Sequence, residues 1–596
     1  MQTLKKLLFL LSSQERKYAG FLLIMIIITA LLDMIGVASI LPFVAVLTNP
    51  SLIDTNIILN TMFKISKIYG IENNEQFIFA LGSLLFSLFI ISLIFKALTN
   101  YLQILFVYKR EYSISKRLIE GYLHQPYTWF LSCNSTDHAK TILSDVAQVV
   151  SNGIAPLMEL IAKGMVIIAL VILLVLVDPK IAFIIGLSLV VAYGFVLYFV
   201  HNYLNQIGKE RLFYNRLRFE AVSEVFEAIK EVKVGGLEEI YLKNYTNAAL
   251  IFARTTAYSI VIGHFPRFII EAIAFGGILI IILFTISETG SYNNSIPIIS
   301  LYAFAGYRLL PALQEVYRSL TQLAFIGPSL DKLHYDLKNL KPFDKNQNQN
   351  ILSFNKTITL KNIHYNYTNA KQITLKDINL TIPAKSTVGL LGITGSGKTT
   401  LINIILGLLE PQKGTLEIDG QIITKQNIRS WQKSIGYVPQ YIYLSDDTIA
   451  ANIAFGVEPK DINQEKIEKA AKIANFHNFV IDELPKKYQT TVGERGVRLS
   501  GGQRQRIGIA RAVYHNPKLL ILDEATNALD NETEKVVIDA ISSLNKNITI
   551  IFITHHLGIA KKFDKIFLLE KGELKKEGKF DDLIDINTNS FKVNDN

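Results

Sequence analysis

Gly392-Ile393-Thr394-Gly395-Ser396-Gly397-Lys398-Thr399-Thr400 is the stretch on which the reading of this 596-residue chain turns. Glycines at 392, 395 and 397 let backbone N–H groups approach phosphate oxygens, Lys398 has the reach for the outer phosphates, and the Thr399 hydroxyl can ligate magnesium. Alone, such a run can arise by chance. Roughly a hundred residues on stands Leu499-Ser500-Gly501-Gly502-Gln503, and then Leu519-Leu520-Ile521-Leu522-Asp523-Glu524, an apolar strand closed by two carboxylates. That order and spacing point to an α/β P-loop ATPase that uses ATP with Mg2+.

The run from Leu499 to Gln503 resembles the signature of the ABC (ATP-binding cassette) family, and the resemblance covers the whole chain. It implies roles residue by residue. Tyr367, about 25 residues before the phosphate loop, resembles the aromatic that stacks on adenine. Gln440 of Tyr437-Val438-Pro439-Gln440 resembles the glutamine that senses Mg2+ and the attacking water. By the same resemblance Asp523 binds Mg2+ through water, Glu524 is the general base, and Asp530, closing Asn527-Ala528-Leu529-Asp530, acts across a dimer. His555 in Ile553-Thr554-His555 resembles the switch histidine near the γ-phosphate. Thr394, Ser396 and Thr400 belong to the phosphate loop, while Ser500, Gly501, Gly502 and Gln503 belong to the signature that faces another cassette. Taken singly, Tyr367 also reads as a strand aromatic and His555 as a satisfied histidine at a strand end. Two departures stand out: Lys385-Ser386 replaces the Gly-Glu pair that often precedes the loop strand, and His556 stands where an arginine commonly follows the switch histidine.

Half of all residues are hydrophobic and the mean hydropathy is +0.28, too apolar for an ordinary soluble protein of this length. The excess lies in the first half. Six stretches there are long enough to cross a bilayer, roughly 19–47, 77–106, 153–177, 179–203, 259–286 and 294–322. The first is too long for a cleaved signal peptide and lacks a small-residue cleavage site. The fold expected is an all-α six-helix transmembrane domain of the exporter type over 1–322, a linker over 323–356, and an α/β nucleotide-binding domain over 357–596.

Lysine and arginine set the expected orientation. Lys5, Lys6, Arg16 and Lys17 precede the first span, Lys109, Arg110, Lys116 and Arg117 follow the second, and Lys209, Arg211, Arg216, Arg218, Lys230 and Lys233 follow the fourth. These segments, with the N-terminus and the nucleotide-binding domain, are expected on the cytoplasmic side of an inner membrane. The net charge of +10 is then a matter of topology, and no nucleic-acid partner is implied. Connections of about 107–152 and 204–258 read as helical extensions of the spans, which in this family act as levers on the ATPase. Cys133 is the only cysteine, so no internal disulfide can form. One six-span half with one cassette implies a dimer, most simply a homodimer, since Lys398 of one cassette must face Ser500 and Gly502 of another.

Cargo has to be argued from the spans. Lys96 in the second, Arg267 in the fifth and Arg308 in the sixth fall inside apolar segments, where charges are costly. Two readings are open: the three bind an anionic group such as a diphosphate, or they snorkel and pair, Arg267 with Glu271 four residues on. Pro266-Arg267-Phe268-Ile269-Ile270-Glu271, Tyr307-Arg308-Leu309-Leu310-Pro311 and Leu41-Pro42-Phe43 resemble bacterial exporters of surface-glycan assembly, above all flippases for lipid-linked oligosaccharides. Ile58, Met62, Ile65 and Tyr69 recur at helical spacing, giving an amphipathic helix at the outer surface that engages lipid or packs on its own spans. The expected activity is ATP-driven flipping of a polyprenyl-diphosphate-linked glycan to the outer leaflet. The alternatives are export of another amphiphile (peptide, drug or lipid), and a regulatory ATPase or channel that does not pump.

Overall fold

The computed structural model describes residues 2–340 and 352–584, apart from 69, 72, 178, 269–270, 273–274, 277–278, 280–291, 368–372, 527, 544–546 and 555–556. It falls into two compact units, a helical one that takes in the described residues up to 340 apart from 126–128, and an α/β one that takes in those from 352.

The helical unit opens with α1 (Gln2–Leu10) and α2 (Ser13–Ala38). Ser12 caps α2, its hydroxyl accepting from Glu15 N while the Glu15 carboxylate accepts from Ser12 N, a reciprocal box that fixes the start. The helix breaks at Ser39 because Pro42 has no N–H to give the Ala38 carbonyl, and it resumes as α3 (Ile40–Thr48). There follow α4 (Ile57–Lys67), α5 (Asn74–Leu123), α6 (Ala155–Val177), α7 (Pro179–Glu227), α8 (Glu238–His264) and α9 (Tyr292–Asn339). Among the described residues, Ser13–Thr48, Asn74–Leu123, Ser135–Val177 and Glu238–Phe268 are long and apolar enough to cross a membrane. The fourth and sixth expected spans lie on α7 and α9. The fifth begins within α8, and nearly half of it, including all of 280–286, lies outside the described residues.

The linker does not begin at 323. Residues 323–339 continue α9, and Ile326, Leu330 and Leu333 are fully buried in one core with Leu7, Ile114 and Val149. Apolar residues three or four apart carry the helix on through the charged positions between them.

Lys140 and Asp145 are each 1% exposed in this unit, with Nζ to Oδ2 at 3.2 Å, while Lys332 Nζ donates to Asp137 at 3.0 Å. A buried carboxylate that loses its cation is costly. Lys140→Met is expected to remove about 3 kcal/mol of stability, the low end for such a loss, because Lys332 Nζ remains 3.8 Å from Asp145. The folded, monodisperse fraction after solubilisation measures it, and adding Asp145→Asn should recover most of the loss.

The α/β unit holds an antiparallel sheet of β1 (Thr357–Tyr365), β2 (Leu375–Pro383), β4 (Lys413–Ile418) and β5 (Gln421–Ile422), in the order β2-β1-β4-β5. A six-stranded sheet runs β10-β9-β3-β8-β7-β6, from β3 (Thr387–Leu391), β6 (Ile435–Val438), β7 (Leu519–Asp523), β8 (Thr549–Ile553), β9 (Lys565–Glu570) and β10 (Glu573–Gly578). Strands β6, β7, β8, β3 and β9 are parallel. Every residue of β3, β7 and β8 is buried, as central parallel strands require. Their side chains alternate between two cores. Leu519, Ile521, Ile551 and Ile553 join one with Leu401 and Phe567, and Leu520, Leu522, Ile550 and Phe552 the other with Ile509 and Val438. Helices α10 (Lys398–Ile405), α11 (Gly501–Tyr514) and α12 (Asn531–Ser542) flank this sheet.

Candidate functional site

In open parallel sheets, ligand-binding loops gather at the carboxyl ends of the strands. The phosphate loop follows β3, Gln440 follows β6, Asp523 and Glu524 close β7, and Thr554 follows β8. Gly392, Gly395 and Gly397 all take positive φ, and Gly397 stands as the left-handed residue before α10. Lys398 is folded back on its own loop, Nζ donating to the carbonyls of Gly392 at 2.6 Å and Ile393 at 3.0 Å. Burial lowers its pKa, against the opposing pull of Glu524 and Asp523.

The Asp523 carboxyl is pushed up, chiefly by burial and further by Glu524, while a hydrogen bond from the Tyr437 hydroxyl at 3.3 Å and the charge of Lys398 oppose this. Glu524 sits at φ 48, just past the strand, and its Oε2 accepts from Gln440 Nε2 at 2.7 Å. One hydrogen bond thus joins the expected base to the expected water-sensing glutamine. Thr399 and Thr400 open α10, and the Thr400 hydroxyl lies 3.2 Å from the Tyr367 hydroxyl. The Tyr367 ring is half-buried and edge-on to Tyr365 at 5.1 Å.

Ser500 caps α11 in a reciprocal box: its hydroxyl accepts from Gln503 N at 3.2 Å, and the Gln503 side chain accepts from Ser500 N at 2.8 Å. Gly501 and Gly502 pack so closely on Ala528 that an added Cβ would stand 3.3 and 3.1 Å from it. Gln505 Oε1 accepts from Ala528 N at 3.0 Å, tying the signature helix to the segment that ends in Asp530. Sequence reading had no signal for Gln505 or for the Tyr437 hydroxyl. Asp530 caps α12, accepting from Thr533 N at 2.9 Å, and that hydrogen bond holds its carboxyl below the usual range. His555 and His556 lie outside the described residues.

The residues fit a bound phosphate chain. The Ser396 side chain is 2% exposed, and its hydroxyl has no hydrogen-bond partner among the described residues. A Cβ on Gly395 would meet nothing within 4 Å, so the loop there opens onto free space. The ammonium of Lys398 rests on neutral carbonyls that anionic oxygens would outcompete.

In the helical unit the three expected cations part company. Lys96 Nζ donates to Asp33 Oδ2 at 3.0 Å, and an Arg308 guanidinium nitrogen lies 3.3 Å from Asp33 Oδ1. Arg267 instead pairs with Glu271 at 2.6 Å, both side chains about half exposed. The expected cluster of three is a pair on a buried carboxylate that sequence reading passed over, although a single Asp in an apolar span was the signal for it. Two further cations lie within the expected third and sixth spans, Lys163 with Glu159 at 4.0 Å and Arg318 with Glu315 at 3.5 Å.

The amphipathic helix expected near residues 58–69 is α4, capped by Asn56. It has two apolar faces. Leu59 and Phe63 are buried with Val46, Ile53, Phe77 and Leu81, whereas Ile57, Ile58 and Ile65 are 83, 71 and 52% exposed. Tyr69 lies outside the described residues.

Comparison with known proteins agrees with this architecture. Residues 18–307 match the family model described as ABC transporter transmembrane region, and residues 375–527 the one described as ABC transporter. An ATP-dependent lipid A-core flippase of Saccharophagus degradans is 30% identical over 79% of this chain and 79% of its own length. A protein of the same description from Wigglesworthia glossinidia brevipalpis is 32% identical over 79% of this chain and 81% of its own. A solved bacterial Atm1-family ABC exporter with ATP bound superposes with a TM-score of 0.77 at 20% identity, covering 95% of this chain and 96% of that one, which shows a common fold.

Proposed function

This chain belongs to the ABC transporter family as an exporter half-transporter that couples ATP hydrolysis to transport, and on that premise we propose that it flips a polyprenyl-diphosphate-linked glycan from the inner to the outer leaflet of a bacterial inner membrane, working as a homodimer. One observation carries the choice of cargo: Lys96 and Arg308, from separate helices, converge within one apolar unit and keep 34 and 19% of their side chains exposed. A diphosphate head suits such a pair, since arginine binds phosphate oxygens in a fork. The relatives described as lipid A-core flippases support a lipid cargo.

In this reading Lys398 and the phosphate-loop N–H groups hold the outer phosphates, and Thr399, Gln440 and Asp523 hold Mg2+, which when bound neutralises phosphate charge. Glu524 takes the proton of the attacking water, and Gln440 orients it by donating to Glu524 Oε2. Ser500 and Gly502 close on the nucleotide of the partner cassette, with Asp530 and His555 completing each half. The basic connections face the cytoplasm and carry the closure to the spans.

Reconstituted protein supplied with polyprenyl-diphosphate glycans is expected to hydrolyse ATP faster and to move them between leaflets. Stimulation by peptides or drugs alone would favour the other exporters, and stimulation without movement would favour a regulatory ATPase.

The two faces of α4 make a second test. Ile58→Ser with Ile65→Ser changes exposed positions, and is expected to lower flipping several-fold at normal folded yield if this face engages the lipid tail. Phe63→Ala, at 8% exposure, should instead cost about 3 kcal/mol or more and reduce yield. Unchanged flipping in the double serine variant would reduce α4 to a packing element.

A further inference from the structure

Asp33 is the only charged residue between Ala19 and Leu47, and it is the point at which three helices meet. From α2, its Oδ2 accepts from Lys96 Nζ of α5 at 3.0 Å, while its Oδ1 accepts from Ser92 Oγ of α5 at 3.3 Å and faces Arg308 of α9 at 3.3 Å. Its side chain is 1% exposed. Burying a lone carboxylate is costly, so the pairing explains why Asp33 is tolerated. It does not explain why two cations meet on this one carboxylate, when Lys96 also lies within the field of Glu159 on α6.

The cations are less buried than the acid. Asp33 takes one contact from each, whereas an ammonium carries three donors and a guanidinium five. The Arg308 guanidinium also lies over the Phe89 ring, 5.4 Å from its centroid, which limits its freedom. Asp33 therefore orients both groups while leaving them donors to present outward. A phosphorylated head offers these donors the chemistry that Asp33 offers, with more oxygens and more charge.

We infer that Asp33 is an internal counter-anion: it holds Lys96 and Arg308 in place until a phosphorylated lipid head competes for them, and so sets how much negative charge a cargo must carry. The inference rests on the proposed cargo class. Specificity arises by difference, since a head with one negative charge gains little over the carboxylate it must compete with, and a diphosphate gains more. A bound head also weakens the tie between α2, α5 and α9, which gives cargo a route to helix movement.

The test uses the full chain in phosphatidylcholine nanodiscs, with binding of farnesyl diphosphate, farnesyl monophosphate and inorganic pyrophosphate measured at equilibrium. Wild type should prefer the diphosphate lipid. Asp33→Asn should bind the monophosphate roughly tenfold tighter, narrowing the preference, because a competitor for the same donors is gone. Lys96→Met should weaken diphosphate binding, and adding Asp33→Asn should restore it, since the double variant has the same net charge over the three positions as wild type. That double variant carries the test where Asp33→Asn alone folds poorly.

Unchanged or weaker binding in Asp33→Asn, or a double variant no better than Lys96→Met, would overturn the counter-anion while leaving the cargo reading standing. Pyrophosphate bound as tightly as farnesyl diphosphate would overturn a lipid head as the competitor. If no variant binds any of the three probes, the cargo reading falls and the inference falls with it.

Discussion

Glu524→Gln is expected to cut ATP turnover at least about a hundredfold while ATP still binds, because a positioned general base contributes roughly that much or more and the phosphate cradle is untouched. The amide is isosteric, and its oxygen can still accept the hydrogen bond that Gln440 Nε2 now gives to Glu524 at 2.7 Å. What disappears is the carboxylate basicity proposed to take the proton from water. The nucleotide should therefore accumulate unhydrolysed, and the dimer with it in the closed form. Lys398→Ala should give the contrasting phenotype: it removes the cation that rests on the Gly392 and Ile393 carbonyls and is proposed to hold the outer phosphates, so binding itself should weaken. Nucleotide affinity and single-turnover hydrolysis on both variants separate the two roles. Hydrolysis by Glu524→Gln at the wild-type rate would show that another group takes the proton.

The runs proposed to form the nucleotide site were legible because the chemistry they suit is written in short stretches of sequence. A loop that must approach phosphates needs glycine at set positions, and the runs that follow β3, β6 and β7 come together by the topology of a parallel sheet. Gln505 was invisible for the opposite reason: its bond to Ala528 N crosses a fold that local spacing does not encode. The same limit applied in the helical unit. Spans show as runs of apolar residues, yet whether Lys96 and Arg308 meet depends on how α2, α5 and α9 pack, which periodicity alone does not determine. The end of the helical unit was misplaced because charged residues from 331 to 338 masked the buried positions Leu330 and Leu333. On α4 the exposed stripe was readable, but the buried one at Leu59 and Phe63 is just as apolar, and only packing tells them apart.

Gly392 and Gly395 are both glycines of the phosphate loop with positive φ, and alanine at the two should fail in different ways. A Cβ on Gly392 would stand 2.4 Å from the Leu569 carbonyl oxygen and 2.6 Å from the Ser396 hydroxyl. Leu569 belongs to β9, where it pairs with Leu574 of β10 directly after the last β9–β3 pair, Leu568 with Leu391, and these two pairings hold that carbonyl in place. The loop must move instead, at a cost of about 2–3 kcal/mol from overpacking with backbone strain added. Gly392→Ala should thus lower the melting temperature of the α/β unit by roughly 5 °C or more without any nucleotide present, and abolish ATPase activity. At Gly395 the Cβ meets nothing within 4 Å, so only the strain of φ +81, about 1–2 kcal/mol, weighs on the nucleotide-free protein. The open space beside Gly395 is where the phosphate chain is proposed to lie, and the methyl would stand in it. Gly395→Ala should therefore melt only a few degrees below wild type without nucleotide, a smaller drop than Gly392→Ala gives, and lose most of the several-degree rise that saturating ATP gives. Thermal melts of both variants with and without ATP decide the matter. An ATP-dependent rise in Gly395→Ala equal to wild type would move the phosphates away from this part of the loop, whereas a normal melt of Gly392→Ala would mean that β9 yields where the sheet pairing says it is fixed.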